Sequence, residues 1–81
     1  MNIDIEIKRY DADNALIIAQ AMMINNKDIN AILFINDNDR CIARYYLDKD
    51  NEDSYIIYKE NESIEREVDE IEFISFLDLL N

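Results

Sequence analysis

The sequence predicts an α+β fold in the order β-α-β-β-β-(β)-α: a mostly antiparallel sheet with one long helix (about 12–26) and a short C-terminal helix (about 69–80) packed on it. Three observations lead there. Strict apolar alternation near the N-terminus marks a strand. An apolar stripe at spacings of three and four marks the helix after it. Short strand-like runs separated by Asn and Asp clusters follow, and helices covering such a sheet bury both kinds of apolar face. Eighty-one residues make one small domain, 1–81, and an apolar fraction of 49% is enough for a core. Gly and Pro are absent, so every tight turn falls to Asn or Asp, which tolerate positive φ best among the other residues.

The first strand reads Ile3-Asp4-Ile5-Glu6-Ile7-Lys8, with Ile3, Ile5 and Ile7 inward. Asp11 or Asp13 caps the helix, whose stripe is Ala12, Ala15, Leu16, Ala19, Met22 and Met23. Ile17, Ile18 and Ile24 widen the stripe, which predicts a well-covered helix. Asn25 and Asn26 end it in the role usually taken by glycine. A hairpin then joins residues 29–36 to 40–47 through Asp37-Asn38-Asp39, with Asn38 or Asp39 left-handed. An odd loop pairs Ile29, Ala31, Leu33 and Ile35 with the face of Cys41, Ala43, Tyr45 and Leu47. Ile32, Phe34, Ile42 and Tyr46 then share the opposite face. That face is too apolar for plain solvent surface, so the C-terminal segment or a partner covers it.

Residues 48–53 read as a loop and 54–59 as a further strand. Beyond them two continuations compete. Residues 63–68 pair back as a fifth strand before a helix at Asp69, or one helix runs from 63 to 80. The Asp69-x-x-Glu72 capping box marks a fresh helix start and favours the strand. Both continuations end with Phe73, Phe76, Leu77 and Leu80 against the domain.

Charge is the feature that bears on function. Residues 48–72 hold eleven acidic side chains: Asp48, Asp50, Glu52, Asp53, Glu60, Glu62, Glu65, Glu67, Asp69, Glu70 and Glu72. Lys49, Lys59 and Arg66 leave that stretch at net −8, against −11 for the whole chain. Nucleic acid and anionic lipid repel such a surface, so the expected partner is a protein with a basic surface, with no direct nucleic acid and no membrane. No apolar leader region or spanning run is visible, which predicts a cytoplasmic protein.

Enzyme readings fare poorly. Histidine is absent, and with it the usual base near neutral pH and the commonest transition-metal ligand. Cys41 alternates with Ala43 and Tyr45 and reads as a strand cysteine rather than a nucleophile. A calcium loop counted from Asp48 needs Gly at its sixth position and Glu at its twelfth, where Asp53 and Lys59 stand. No catalytic residue, cofactor or metal is therefore expected. An enzyme working through carboxylates alone needs a concave site that sequence does not display.

A surface reading remains. As a strand, residues 63–68 would project Glu65, Glu67 and Asp69 from one edge at intervals of about 7 Å, like a phosphate track. Tyr45, Tyr46, Tyr55 and Tyr58 would add contact area. In its small size, acidity, lack of catalytic motif and clustered charge at 48–72, the chain resembles phage-encoded inhibitors of the anti-CRISPR and DNA-mimic type. The resemblance implies occupation of a basic nucleic-acid cleft in a nuclease or other processing complex of a bacterial host. The competing expectation is a small regulatory or structural subunit using Ile32, Phe34, Ile42 and Tyr46 as a homodimer or hetero-partner face.

Overall fold

A computed structural model describes residues 2–58 and 64–79. Its elements run β1 (Ile3–Ile7), α1 (Ala12–Asn25), β2 (Ile29–Ile35), β3 (Cys41–Leu47), β4 (Asp53–Ile57), β5 (Arg66–Val68) and α2 (Glu70–Leu79). The strands form one mixed sheet in the order β1-β2-β3-β4-β5. β1 lies parallel to β2, joined through α1, and the other neighbours are antiparallel. The fold class is the α+β arrangement expected. The fifth strand exists but spans only 66–68, and Ser63 lies outside the described residues.

Two turns of one design give the sheet its middle. Asn36 N–H donates to Arg40 O and Asp39 N–H to Asn36 O, while Asn36 Oδ1 accepts from the amides of Asn38 and Arg40. Twelve residues on, Asp48 N–H donates to Glu52 O and Asn51 N–H to Asp48 O, while Asp48 Oδ1 accepts from Asp50 and Glu52. Asp39 and Asn51 occupy the same position in each loop, both at φ 60°. A side-chain oxygen at the first position folds the loop, and an Asn or Asp takes the left-handed residue that glycine usually supplies. The left-handed Asp39 and the three-residue loop agree with expectation.

The faces do not. Beside the turn Ile35 lies opposite Cys41, as an odd loop requires, but the register shifts between Phe34 and Ile35. Beyond that bulge Phe34 faces Ala43 and Ile32 faces Tyr45. One extra residue in β3 turns it over relative to β2. Two continuous rows result, Ile5–Ile32–Tyr45–Tyr55–Val68 and Ile7–Phe34–Ala43–Ile57–Arg66. The row between them, on the opposite face, is Glu6–Leu33–Arg44–Ile56–Glu67.

Both helices cover the face of Ile32 and Phe34. Asp11 is the cap of α1, its side chain accepting from Asp13 N–H and from Asn14 Nδ2. Ala12, Ala15, Leu16, Ala19 and Met23 are buried, and the three alanines let α1 lie close to the sheet. Phe73 and Leu77 anchor α2, with the Phe73 ring edge-on to Phe34 at 5.6 Å and 5.3 Å from Tyr55. The C-terminal helix thus reaches Phe34 through Phe73, as one of the two covers expected, and shares that face with α1. Phe76 packs at the margin of this core, and Leu80 lies outside the described residues.

Three expectations about α1 and β1 are corrected. Ile17, Ile18 and Ile24 are exposed, because α1 touches the sheet and α2 through its small-residue side only. Ile3 is also exposed, at the end of an edge strand, while Ile5 and Ile7 pack against the core. Asn26 is extended rather than left-handed (φ −141°). Its N–H donates to Met22 O and its Oδ1 accepts from Asp28 N–H, so the helix ends in a side-chain turn.

Candidate functional site

The carboxylates of 48–72 fall in different places. Val68 lies opposite Tyr55, so the chain leaves β5 at the end of the sheet where β4 begins, beside the β3–β4 turn. Asp48, Asp50, Glu52 and Asp53 from the turn therefore share that end with Asp69, Glu70 and Glu72 from the start of α2. Glu65 and Glu67 extend the acidic surface onto the face the helices leave open. Glu60 and Glu62 lie outside the described residues.

Several of these groups already hold the fold. Asp48 closes its turn, and that duty explains a first-position aspartate without any calcium. Asp53 accepts from the Tyr45 hydroxyl at 2.6 Å and from Tyr55 at 3.3 Å. Asp69 Oδ1 accepts from Glu72 N–H at 2.8 Å, capping α2 as expected. Glu72 does not complete a reciprocal box and instead meets Arg66 Nη2 at 3.4 Å. Asp50, Glu52 and Glu70 are exposed.

The phosphate-like track is shorter than expected. Asp69 is spent on the helix cap, which leaves Glu67 on β5 and Glu65 just before it. Glu67 Oε1 accepts from Ser54 Oγ at 3.1 Å. Glu65 accepts from the Tyr58 hydroxyl at 2.9 Å and pairs with Arg44 Nη2 at 3.4 Å. These contacts hold both carboxylates, Glu65 just before β5 and Glu67 within it.

Arg44 organises the open face. It sits mid-row on β3, its guanidinium 5.0 Å from the centre of the Tyr46 ring and bonded to Glu65. Strand alternation groups Arg44 with Tyr46, as observed, but sets both on the side of Ile32 and Phe34, from which the bulge in β3 removes them. The pairing of Arg44 with Glu65, 21 residues later, was not legible without the β4–β5 register. Tyr46 and Tyr58 are half-buried on this side. Tyr45 and Tyr55 are buried under the helices and supply no contact area, which corrects that expectation.

The phenols report the local field. Burial, followed by the negative charges of Asp53 and Glu70, pushes Tyr55 up to about 12. Burial and the hydrogen bond to Glu65 push Tyr58 to about 12. Tyr45 is raised further, by burial and by its bond to Asp53. Cys41 is half-buried, its Sγ donates to Ala43 O at 3.4 Å, and burial raises its pKa, which suits a strand thiol better than a nucleophile.

The apolar outer face expected for the competing reading does not exist as drawn. Ile32 and Phe34 are fully buried beneath the helices and stand on the opposite side of the sheet from Arg44 and Tyr46. Among the described residues, no group of three or more Cys, Asp or Glu is arranged to hold a metal ion. No helix among them is long and apolar enough to cross a membrane. No family of known proteins, no curated protein and no solved structure matches the chain.

Proposed function

We propose that this protein is a non-enzymatic, acidic protein-binding inhibitor that occupies a basic nucleic-acid cleft of a nuclease or other processing complex, in the manner of an anti-CRISPR protein or DNA mimic. The observation that carries this reading is the acidic surface made by Glu65, β5, the first turn of α2 and the β3–β4 turn, which hydrogen bonds within the fold hold in place. Glu65 and Glu67 are held by Tyr58, Arg44 and Ser54. Ordered carboxylates lose little freedom on docking, and a basic cleft that receives phosphates also receives them. Asp50, Glu52 and Glu70 are exposed and add further negative charge to this surface. The partner is a protein in this reading; direct nucleic-acid binding is opposed by the net charge of −11.

The test is competition. The protein is titrated into cleavage reactions of purified RNA-guided nucleases at rising concentrations of the cleavable target duplex. Inhibition that the duplex relieves is the expected result. Inhibition indifferent to duplex, or none across the nucleases, counts against a cleft-occupying role.

A further inference from the structure

The edge of the sheet opposite β5 carries a second, chemically different surface. Among the described residues, β1 pairs with β2 alone and stands at the edge of the sheet. Ile3 N–H donates inward to Asp28 O at 2.8 Å. By strand alternation, the amides and carbonyls of Asp4 and Glu6 point away from the sheet. Toward the helices, Ile5 and Ile7 face α1 across a groove of about 580 Å³ whose lining includes Tyr10, Ile18 and Met22. Ile18 stays 54% exposed at its rim. On the open face, the side chains beside this edge are Asp4 and Glu6, both exposed.

We propose that the β1 edge and the β1–α1 groove form a docking site for an extended segment of another protein, added as a sixth strand, in which apolar residues alternate with Lys or Arg. Main-chain hydrogen bonds to Asp4 and Glu6 supply affinity, and alternate side chains supply specificity. The apolar ones enter the groove beside Ile5, Ile7 and Ile18. The basic ones lie across from Asp4 and Glu6. Charge decides against a second copy of this chain. A two-fold pairing of β1 with itself about Ile5 would set Asp4 opposite the copy's Glu6 at both ends, and directly opposed like charges destabilise a sheet. Lys8 and Arg9 follow β1, so the basic preference is confined to the segment beside residues 4–6. The site is independent of the acidic β5 edge.

The probe is a blocked peptide of about seven alternating Val and Lys residues, the length of a typical strand, titrated into the isotope-labelled full chain by NMR. One control holds the same residues in two blocks. Another is N-methylated on the amides that would face β1. Expected shifts centre on residues 3–7, Ile18 and Met22, and N-methylation or Glu6→Lys weakens binding by about tenfold or more, equivalent to about 1.4 kcal/mol. Ile18→Asp, a change at a half-exposed position, weakens it as well. The proposal is overturned if the block peptide binds equally well, if shifts centre on residues 67–72, or if no shift appears at millimolar peptide. Sedimentation of the free chain as a dimer dissolved by Ile18→Asp also overturns it.

Discussion

The Tyr45 hydroxyl donates to Asp53 Oδ1 at 2.6 Å, and Tyr55 reaches the other oxygen of the same carboxylate at 3.3 Å. The two rings stack at 5.6 Å between α2 and the sheet. One acidic residue of the candidate surface therefore anchors the aromatic core. This relationship makes stability depend on alkaline pH. Tyr55 and Tyr58 hold their protons to about 12 in the folded chain, against an ordinary 10.0. Between those values the folded chain binds more protons than the unfolded one. Their contribution is complete below pH 10, and is lost as pH rises through about 12. Urea midpoints should fall across that window, with tyrosinate absorbance lagging behind free tyrosine. A midpoint that is flat there contradicts the assignment.

Asp53→Ala leaves the Tyr45 hydroxyl without its acceptor and should cost about 1–3 kcal/mol in urea unfolding. Asp53→Asn keeps an acceptor and removes the charge. It should cost less and lower the phenol titration of Tyr55.

Phe34→Ala should cost about 3–5 kcal/mol, because the ring is fully buried against Tyr10 and Phe73. Ile17→Ser and Ile24→Ser should each stay within about 0.5 kcal/mol. Thermal melts that reversed this ranking would mean that the helices cover the other face.

Asn51 at φ 60° offers a backbone test. Asn51→Val should lose about 1–2 kcal/mol, the cost of forcing a β-branched residue into the left-handed region, whereas Asn51→Gly should lose nothing. Equal midpoints for the two variants would contradict this turn geometry.

Asp69→Ala removes the cap of α2 and should cost about 1 kcal/mol. Glu70→Gln, one residue later, should leave stability unchanged. Chemical denaturation of the two separates a carboxylate that builds the fold from one available to a partner.

Local signals carried much of this architecture. The Asp11 cap, the Ala12–Leu16–Ala19–Met23 stripe, the left-handed Asp39 and the Asp69 cap each follow from a few neighbouring residues. What was not legible depends on partners distant in sequence. β2 is apolar on both sides, so its pattern leaves open which face meets the helices, and the bulge beside Phe34 reverses the pairing with β3. The spacing that marks the alanine stripe admits Ile17, Ile18 and Ile24 beside it, and nothing local says that these three stay outside the contact. The site was legible as composition only. Its division into fold-holding Asp48, Asp53 and Asp69 and outward Asp50, Glu52 and Glu70 required the two turns and the helix cap.

The central claim is that the carboxylates of β5 and α2 dock in a basic cleft. It is tested most directly by changing Glu65, Glu67, Glu70 and Glu72 together to Gln and measuring affinity for the inhibited nuclease across a salt series, with folding checked by circular dichroism. Gln keeps the hydrogen-bond acceptors that Arg44, Tyr58 and Ser54 use. The account predicts weaker binding and a flatter dependence of log Kd on log salt. A folded variant whose affinity and salt dependence match the parent would contradict it.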